Sequence, residues 1–373
     1  MKKLGFGMMR LPMPDPKNQS VVDREQVCAM VDAFLDRGFT YFDTAYMYHD
    51  GESEGTAREA LVRRHPRDSF TLADKMPLAR LKDGTARDQD RIFHEQLEKC
   101  GVDYFDYYLL HNLNAASNVT VRRLDTFQYL LGQKEAGRIR RLGFSFHDKA
   151  EVLDQLLTEY PQAEFVQLQL NYLDWDDESV QSRKCYEVAV KHGKPVVVME
   201  PVKGGKLAAV PDEVGHQFAA AHPGWSPASW AIRFAASQEY VMMVLSGMSS
   251  MEQLLENTGY MDAFQPLSQE DQALLERAAA AISAVPAIPC TGCRYCVEGC
   301  PQAIPIPEYF ALYNQELMDL RRGASTQRPR YQHLAQGAGK ASDCLTCRRC
   351  EDVCPQHLPI TDWLRRTAQT FED

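Results

Sequence analysis

Eight cysteines in the last quarter of this 373-residue chain are arranged in two runs of identical spacing, each followed by a proline. The runs are Cys290, Cys293, Cys296 and Cys300, then Cys344, Cys347, Cys350 and Cys354. Thiolates three residues apart can wrap one corner of a metal–sulfur cube, and the proline helps to turn the chain away from it. The spacing therefore predicts metal–sulfur chemistry in this part of the chain.

The pattern C-x₂-C-x₂-C-x₃-C-P, present twice, is the run of bacterial two-cluster ferredoxins, in which the fourth cysteine of each run ligates the other cluster. We therefore predict two [4Fe–4S] clusters, with ligands Cys290, Cys293, Cys296 and Cys354 for one and Cys344, Cys347, Cys350 and Cys300 for the other. Zinc sites and disulfides are the alternatives, although zinc usually takes paired C-x₂-C units from separate elements. The remaining cysteines are expected to be buried packing residues; they are Cys28, Cys100 and Cys185.

Four polar residues near the ends of apolar, β-rich runs form a second group that could do chemistry. Asp43 lies in FTYFDT and Tyr48 just after it, Lys75 ends FTLADK, and His111 ends YFDYYLLH. A lysine that closes an apolar run is costly to bury without a counter-charge, which Asp43 could supply. A nearby ammonium would lower the pKa of the Tyr48 phenol from its usual value of about 10 and make it a usable general acid.

His111 could donate a hydrogen bond to the carbonyl oxygen that Tyr48 protonates, and so orient the substrate. Each of these residues also has a purely structural interpretation. Lys75 and Asp43 could form an ordinary buried ion pair, and a single histidine at a strand end is more often structural than catalytic. The four residues together favour an active site more strongly than any one of them does.

The elements that carry these residues are β-rich runs that alternate with helical stretches from about residue 39 to 264. The runs are 39–44, 70–75, 104–111, 139–145, 165–171, 194–200, 241–247 and a weak 260–264. Strand and helix alternating eight times predict parallel strands closed into a (β/α)₈ barrel. In such a barrel, polar residues at the carboxyl ends of the strands build the active site.

A change in composition marks a second domain. After a predicted helix at 268–284, proline and cysteine become frequent in VPAIPCTGCRYC. We place the boundary near residue 286, which gives a barrel at 1–285 and a small, mainly helical ferredoxin-like iron–sulfur domain at 286–373. The interval 323–341 is rich in glycine, alanine and glutamine and is expected to be an irregular connection.

Charge and hydropathy exclude several classes of partner. A net charge of −10 argues against non-specific binding to nucleic acid or to an anionic membrane surface. No apolar run approaches the roughly 20 residues of a membrane helix, and the first residues lack the apolar stretch of a signal peptide. We therefore expect a cytoplasmic protein, in which thiols stay reduced and patterned cysteines bind metal.

The stretches FDTAYMYHDGESEGTAREAL, LADK and YYLLHNL resemble the aldo/keto reductase family, and the resemblance extends over about residues 1–285. It implies a (β/α)₈ barrel that binds a nicotinamide cofactor without a Rossmann domain. It also implies a catalytic tetrad at Asp43, Tyr48, Lys75 and His111, with hydride transfer to an aldehyde or ketone and protonation by Tyr48. The whole chain resembles the subset of this family with a C-terminal ferredoxin-type domain.

The resemblance further implies a set of cofactor contacts. They are Ser145 and Gln167 at the carboxamide, Met199 and Pro201 near the ring, Gly204, Gly205 and Lys206 near the pyrophosphate, and Ser249, Ser250, Gln253, Glu256 and Asn257 near the adenosine. Gly204 to Lys206 could equally be a surface turn. Since Gly247 and Gln253 replace the basic residues that many members use against a 2′-phosphate, NADP(H) is favoured only narrowly over NAD(H).

The combination of a hydride-transfer barrel with one-electron clusters leaves several functions open. Our leading hypothesis is an iron–sulfur aldo/keto reductase for a small carbonyl compound, with clusters that transfer electrons or brace a small domain. One alternative is a nicotinamide-binding redox sensor, or a subunit that docks a redox partner protein, with negligible turnover. Another is a ferredoxin-linked reductase, assisted by a flavin that no sequence signal demands or excludes.

Overall fold

The computed structural model describes residues 2–15, 18–284, 287–321 and 327–372. The chain divides into two compact units. Unit 1 comprises Met1–Asp177, Gln181–Pro201 and Ala228–Ala273, and unit 2 comprises Glu178–Val180, Val202–Pro227 and Leu274–Asp373. The domain boundary predicted near residue 286 falls at 285–286, which lie outside the described residues.

Eight parallel strands close into a barrel in the order of the chain, which confirms the predicted fold. The strands are β1 (Leu4–Gly7), β2 (Tyr41–Asp43), β3 (Thr71–Pro77), β4 (Phe105–Leu113), β5 (Ile139–Phe146), β6 (Val166–Gln169), β7 (Val196–Met199) and β8 (Val241–Ser246). Most strand residues are buried, as expected when side chains fill the barrel on one face and helices cover the other.

The strand prediction was wrong at both ends of the barrel. The first strand, Leu4–Gly7, was missed, and the predicted strand at 260–264 is not a strand, since a helix continues to Asp262. LGFG is short and contains two glycines, so it lacks the β-branched residues that signal a strand. A Cβ built on Gly5 would lie 2.8 Å from Leu245 Cδ2, so this glycine allows β1 to pack closely against its neighbours.

Seventeen α-helices accompany the strands in the described residues. Up to Ser283 they are α1 (Arg24–Asp36), α2 (Glu52–Ala57), α3 (Leu78–Leu81), α4 (Ala86–Cys100), α5 (Ala115–Leu124), α6 (Thr126–Glu135), α7 (Ala150–Glu159), α8 (Ser182–Lys191), α9 (Asp212–Ala221), α10 (Pro227–Ala236), α11 (Met251–Asp262) and α12 (Gln269–Ser283). The others are α13 (Tyr295–Glu298), α14 (Ile306–Arg321), α15 (Arg328–Ala335), α16 (Arg349–Asp352) and α17 (Ile360–Phe371). A membrane-spanning helix needs about 20 apolar residues, and none of these helices meets that requirement.

Unit 2 has its own hydrophobic core, in which α14, α15 and α17 pack together around aromatic side chains. Its central members are Tyr309, Phe310, Tyr331 and Phe371, all with at most 2% of their surface exposed. Of the interval predicted to be irregular, 323–326 lie outside the described residues, and Arg328–Ala335 form α15, so the prediction was wrong there. Burial of Tyr331 in the core stabilises this helix despite its weak sequence signal.

Candidate active site and cysteine cavities

Alternation along the strands places the predicted active-site residues on the inner face of the barrel. The interior is filled by one hydrophobic cluster that includes Tyr41, Ala73, Leu109, Phe165 and Val197. Successive strand side chains point to opposite faces, so the residue two positions further along each strand also points inward. Those residues are Asp43, Lys75, His111, Gln167 and Met199. The barrel interior therefore has a layer of four polar residues and Met199 next to an apolar layer. We call this the polar ring.

Lys75 is the centre of this ring. Its Nζ lies 2.5 Å from Asp43 Oδ1, 2.7 Å from the Thr44 carbonyl oxygen and 3.3 Å from the Tyr48 hydroxyl. Lys75 is 1% exposed and Asp43 2% exposed, so the ion pair is shielded from water. The predicted counter-charge for Lys75 is present, and the tyrosine lies beside the ammonium as expected.

Tyr48 is held by a tight turn after β2. His49, Asp50 and Gly51 all have φ between +52° and +93°, in the left-handed region. The His49 ring clamps this turn to other backbone, because its Nε2 accepts from the Leu11 amide at 3.0 Å and its Nδ1 donates to the Gln19 carbonyl at 3.1 Å. Burial lowers the pKa of His49, which keeps the ring neutral and suited to both bonds.

The tetrad contains a buried carboxylate and a neutral histidine. Burial raises the pKa of Asp43, and the Lys75 ammonium opposes that shift. Burial lowers the pKa of His111 well below its ordinary value, and the charge of Lys75 lowers it further. The rings of Tyr48 and His111 meet edge to face, with centroids 5.9 Å apart. A neutral imidazole in this position can donate a hydrogen bond while Tyr48 supplies a proton.

Gln167 presents an amide oxygen inside the barrel. Its Nε2 donates to Asp43 Oδ2 at 3.4 Å, while its buried Oε1 has no hydrogen-bond partner among the described residues. On the neighbouring strand β5, the buried Ser145 hydroxyl accepts from the Asn112 amide at 2.8 Å. A buried acceptor without a partner is costly. The Gln167 oxygen is therefore suited to a ligand with an N–H group.

The remaining predicted cofactor residues divide between the two units. Met199 ends β7, and the buried Pro201 follows it in unit 1. Gly204, Gly205 and Lys206 belong to unit 2, where they form part of a 3₁₀ turn at Lys203–Ala208.

The residues predicted near the adenosine surround the start of α11. Ser250 caps this helix by accepting from the Gln253 amide, and Gln253 Oε1 accepts from the Ser249 amide at 2.8 Å. Asn257 is buried, and its amide donates to the Ser246 hydroxyl at 3.0 Å. Glu256 is exposed on the outer side of the helix.

Arg10, which the sequence reasoning missed, lies beside this segment. A Cβ built on Gly247 would be 3.1 Å from Arg10 Cβ and 3.3 Å from its Cδ, so the arginine covers the position where Gly247 lacks a side chain. The Ser249 hydroxyl also donates to the Arg10 carbonyl at 2.8 Å. The pairing of β1 with β8 brings Arg10, which follows β1, next to the loop that follows β8. Recognition of β1 in the sequence would have indicated this proximity.

A second buried polar group, also missed, lies on the outer face of β3. Asp74 and Glu54 are both fully buried and lie close to each other. Gln96 Nε2 donates to Glu54 Oε1 at 2.9 Å and to the Lys75 carbonyl at 3.0 Å, and the Tyr108 hydroxyl donates to Gln96 at 2.5 Å. Burial and the proximity of Glu54 raise the pKa of Asp74 well above its ordinary value. Two buried carboxyls side by side favour the retention of one proton.

The cysteine runs line two cavities in unit 2. One cavity is lined by Cys290, Cys293, Cys296 and Cys354. The other is lined by Cys300, Cys344, Cys347 and Cys350. The structure groups the cysteines in the same way as the predicted ligand assignment, and each set of four thiols fits the chemistry of a [4Fe–4S] cluster. We call these the first and the second cavity.

The thiols of these cavities are suited to metal rather than to disulfides. All eleven cysteines of the chain are free. Burial raises the pKa of Cys350 to about 12 and also raises that of Cys296. Such thiols become thiolates when a metal supplies positive charge. The Gly292 amide donates to Cys290 Sγ at 3.4 Å. Outside the runs, Cys100 and Cys185 are buried and Cys28 is half-buried.

Comparison with known proteins identifies both parts of the chain. Residues 3–280 match the aldo/keto reductase family, and residues 289–358 match a 4Fe–4S dicluster domain. Since the first match covers most of the chain, the protein belongs to the aldo/keto reductase family of oxidoreductases. Its C-terminal part is a 4Fe–4S dicluster domain.

Similar proteins carry the barrel without extending over the whole chain. An aldo-keto reductase of Mycolicibacterium smegmatis is 28% identical over 62% of this chain and 74% of its own length. Among solved structures, an aldo-keto reductase from Klebsiella pneumoniae in complex with NADPH has a TM-score of 0.56 at 23% identity, covering 74% of this chain and 90% of that one. The holo form of one from Bacillus halodurans gives a TM-score of 0.58 at 23% identity, with 74% and 91% covered.

Proposed function

We propose that the protein is an iron–sulfur aldo/keto reductase that reduces a small aldehyde or ketone with NAD(P)H. The observation that carries this proposal is the position of Lys75 Nζ, 2.5 Å from Asp43 Oδ1 and 3.3 Å from the Tyr48 hydroxyl, in a buried part of the barrel. Nicotinamide, when bound, supplies a hydride to the carbonyl carbon. The clusters, when bound, supply one-electron transfer or stabilise their small domain.

The side chains of the tetrad then have distinct roles. Tyr48 gives its proton to the carbonyl oxygen, so that hydride and proton together turn C=O into an alcohol. The Lys75 ammonium stabilises the negative charge that develops on the phenol oxygen, and Asp43 holds the ammonium in place. Neutral His111 donates a hydrogen bond to the same carbonyl oxygen and orients the substrate.

Several residues of unit 1 are assigned to the nicotinamide. The unpartnered Gln167 Oε1 is suited to accept a hydrogen bond from the amide group of the carboxamide, with Ser145 beside it on the next strand. Met199 and Pro201 are assigned to the ring. The Klebsiella pneumoniae protein in complex with NADPH supports a nicotinamide cofactor for this barrel.

We assign the phosphate-bearing end of the cofactor to Arg10, Ser249 and Ser250. Arg10 supplies the cation that Gly247 and Gln253 do not, and this favours NADP(H). Removing a charge-assisted contact costs about 1.5–3 kcal/mol, so Arg10→Gln should weaken NADPH binding at least about tenfold. Fluorescence titration with NADPH and NADH measures this. Weakening of NADPH alone indicates the 2′-phosphate, equal weakening indicates the pyrophosphate, and no weakening would contradict the assignment.

The reaction is assigned to the barrel domain at 1–285 and the clusters to 286–373, in a cytoplasmic protein whose thiols stay reduced. The decisive experiment uses anaerobically reconstituted protein and follows NAD(P)H oxidation with a panel of aldehydes and ketones. Tyr48→Phe should abolish turnover, whereas Tyr46→Phe should not, because the Tyr46 hydroxyl bonds Glu95 on α4. Tight nicotinamide binding with no turnover would instead favour a redox sensor or a subunit that docks a redox protein.

A further inference from the structure

The loop that follows β7 belongs to the compact unit that carries the cysteine runs. The segment Val202–Pro227 belongs to unit 2, although it lies between two barrel strands in the sequence. Its first turn, Lys203–Ala208, contains the glycines that the family resemblance assigns to the pyrophosphate. In the structure this turn packs on residues that line the first cysteine cavity.

Gly204 makes the closest of these contacts. It has φ +63°, and a Cβ built on it would lie 2.4 Å from the Thr291 carbonyl oxygen and 2.6 Å from Thr291 Cα. Thr291 lines the first cavity and lies between Cys290 and Cys293. No side chain fits between the two backbones, so the glycine is needed for the loop to reach the cluster-binding segment.

Lys203 places a cation behind the wall of the same cavity, on Gln356. Its side chain is 4% exposed, and its Nζ donates to Gln356 Oε1 at 3.1 Å. Gln356 is itself 4% exposed, follows Cys354 by two residues and lines the first cavity. Lys203 has φ +48°, a backbone conformation that non-glycine residues seldom adopt, so its position is enforced by the surrounding contacts.

Three arginines of the described residues line the two cavities. Arg294 lines the first cavity but forms an ion pair with Glu308. Arg348 and Arg349 line the second cavity, and both are exposed to solvent. Water and salt screen exposed charges far more than buried ones. The charge of the buried Lys203 should therefore be screened less than the charges of the exposed Arg348 and Arg349.

We propose that Lys203 raises the reduction potential of the cluster held by Cys290, Cys293, Cys296 and Cys354. Reduction adds one electron to the cluster and neither forms nor breaks a bond to the cysteines. The added negative charge is stabilised by the nearby ammonium, which favours the reduced state. The inference rests on cluster binding and is independent of carbonyl reduction.

The test is a mediator-buffered redox titration of the full-length, anaerobically reconstituted protein, followed by visible absorbance and electron paramagnetic resonance. Lys203→Met should lower the reduction potential of one of the two clusters. The equilibrium constant for its one-electron reduction should fall about tenfold or more, which corresponds to a shift of 59 mV. The other step should stay in place. Iron and sulfide content should match the wild type, so that the shift is not a loss of cluster.

Three variants distinguish charge from structure. Lys203→Arg keeps the charge and should restore the wild-type potential. Lys206→Met removes an equal charge from the same turn and should leave both steps unchanged. Gly204→Ala should reduce cluster loading, because its Cβ displaces Thr291. The proposal is overturned if both potentials are unchanged in Lys203→Met, if Lys206→Met gives the same shift, or if Lys203→Arg behaves like Lys203→Met.

The titration needs neither nicotinamide nor carbonyl substrate. An inactive barrel would therefore leave the result for Lys203 intact, and an unchanged potential would leave the proposed carbonyl reduction untouched. The two hypotheses can fail separately.

Discussion

Two adjacent residues of β3 carry buried ionisable groups in opposite environments. Lys75 faces the interior of the barrel, and its buried charge is balanced by Asp43 at 2.5 Å. Asp74 faces outward toward α4, and it is buried beside another carboxyl, Glu54, rather than beside a full counter-charge. On the inner face the buried charges are paired, whereas on the outer face burial and the neighbouring carboxyl raise the pKa of Asp74 and favour its protonated form.

The difference shows which buried polar group is available for chemistry. A charged ammonium beside a phenol can stabilise a transferred proton, so the inner pair is suited to catalysis. The outer pair is fully buried and bonds to the backbone of Lys75, directly and through Gln96. These bonds help to fix the position of the strand that carries Lys75.

The largest effect is expected from removing the inner cation. Lys75→Met leaves Asp43 buried without its partner, which costs about 3–5 kcal/mol of stability. Turnover should fall by at least about a hundredfold, because proton transfer from Tyr48 loses its electrostatic support. Urea unfolding and kcat for NAD(P)H oxidation measure the two effects. Near-normal stability and turnover would show that the inner charge is dispensable.

Asp74→Asn tests the protonated outer pair. Since the pKa of Asp74 is raised in the folded state, the folded protein keeps a proton that the unfolded chain releases above about pH 4. The free energy of unfolding of the wild type therefore falls as the pH rises, by up to about 1.4 kcal/mol per pH unit for this one proton. In the variant this pH dependence should be absent. Unfolding curves between pH 5 and 9, with Glu54→Gln as the matched variant, measure it. An unchanged slope would mean that Asp74 is ionised.

His49 should show the opposite dependence on pH. Its pKa is lowered in the folded state, so the unfolded chain binds a proton that the folded chain does not, and stability is lost as the pH falls through about 6.5. His49→Phe should remove this loss. It should also cost about 1–3 kcal/mol, because the Leu11 amide loses its acceptor. Stability at pH 5.5 and 8 tests both statements, and equal acid sensitivity in both proteins would refute the first.

The smallest effect is expected from the outer lysine. Lys99 Nζ lies 3.6 Å from Glu54 Oε2 and 2.9 Å from Glu95 Oε1, but its side chain is 33% exposed. Lys99→Met should therefore cost less than about 1 kcal/mol, far less than Lys75→Met. Parallel unfolding of the two variants makes the comparison. Equal losses would show that burial does not separate the two lysines.

The sequence predicted most of the fold because its signals were local and repeated. Seven of the eight strands lie in runs where apolar and β-branched residues are concentrated. The missed strand, Leu4–Gly7, is recognisable only from its neighbours, since the side chains of Tyr41 and Leu245 occupy the space that a side chain at Gly5 would need. The false strand at 260–264 is apolar because it completes a helix. Tertiary packing determines the structure of both segments, and the periodicity of the local sequence does not report tertiary packing.

The residues of the candidate site were likewise predictable where the sequence signal is local and were missed where it depends on distant partners. Asp43, Lys75 and His111 lie near strand ends, where a polar residue in apolar text is conspicuous. His49 and Asp74 carry no such signal, since the first acts through backbone contacts and the second through Glu54, 20 positions away in the sequence. Lys203 was likewise hidden, because its partner Gln356 is separated from it by most of the second half of the chain.

The membership of Val202–Pro227 in unit 2, together with the cysteine runs, affects how such a protein could be re-engineered. That unit is not an appendage that a single cut behind the barrel would release. Transplanting it onto another reductase would require the donor's β7 loop to travel with it, including a glycine that matches Thr291. Exchange by simple fusion is thereby disfavoured.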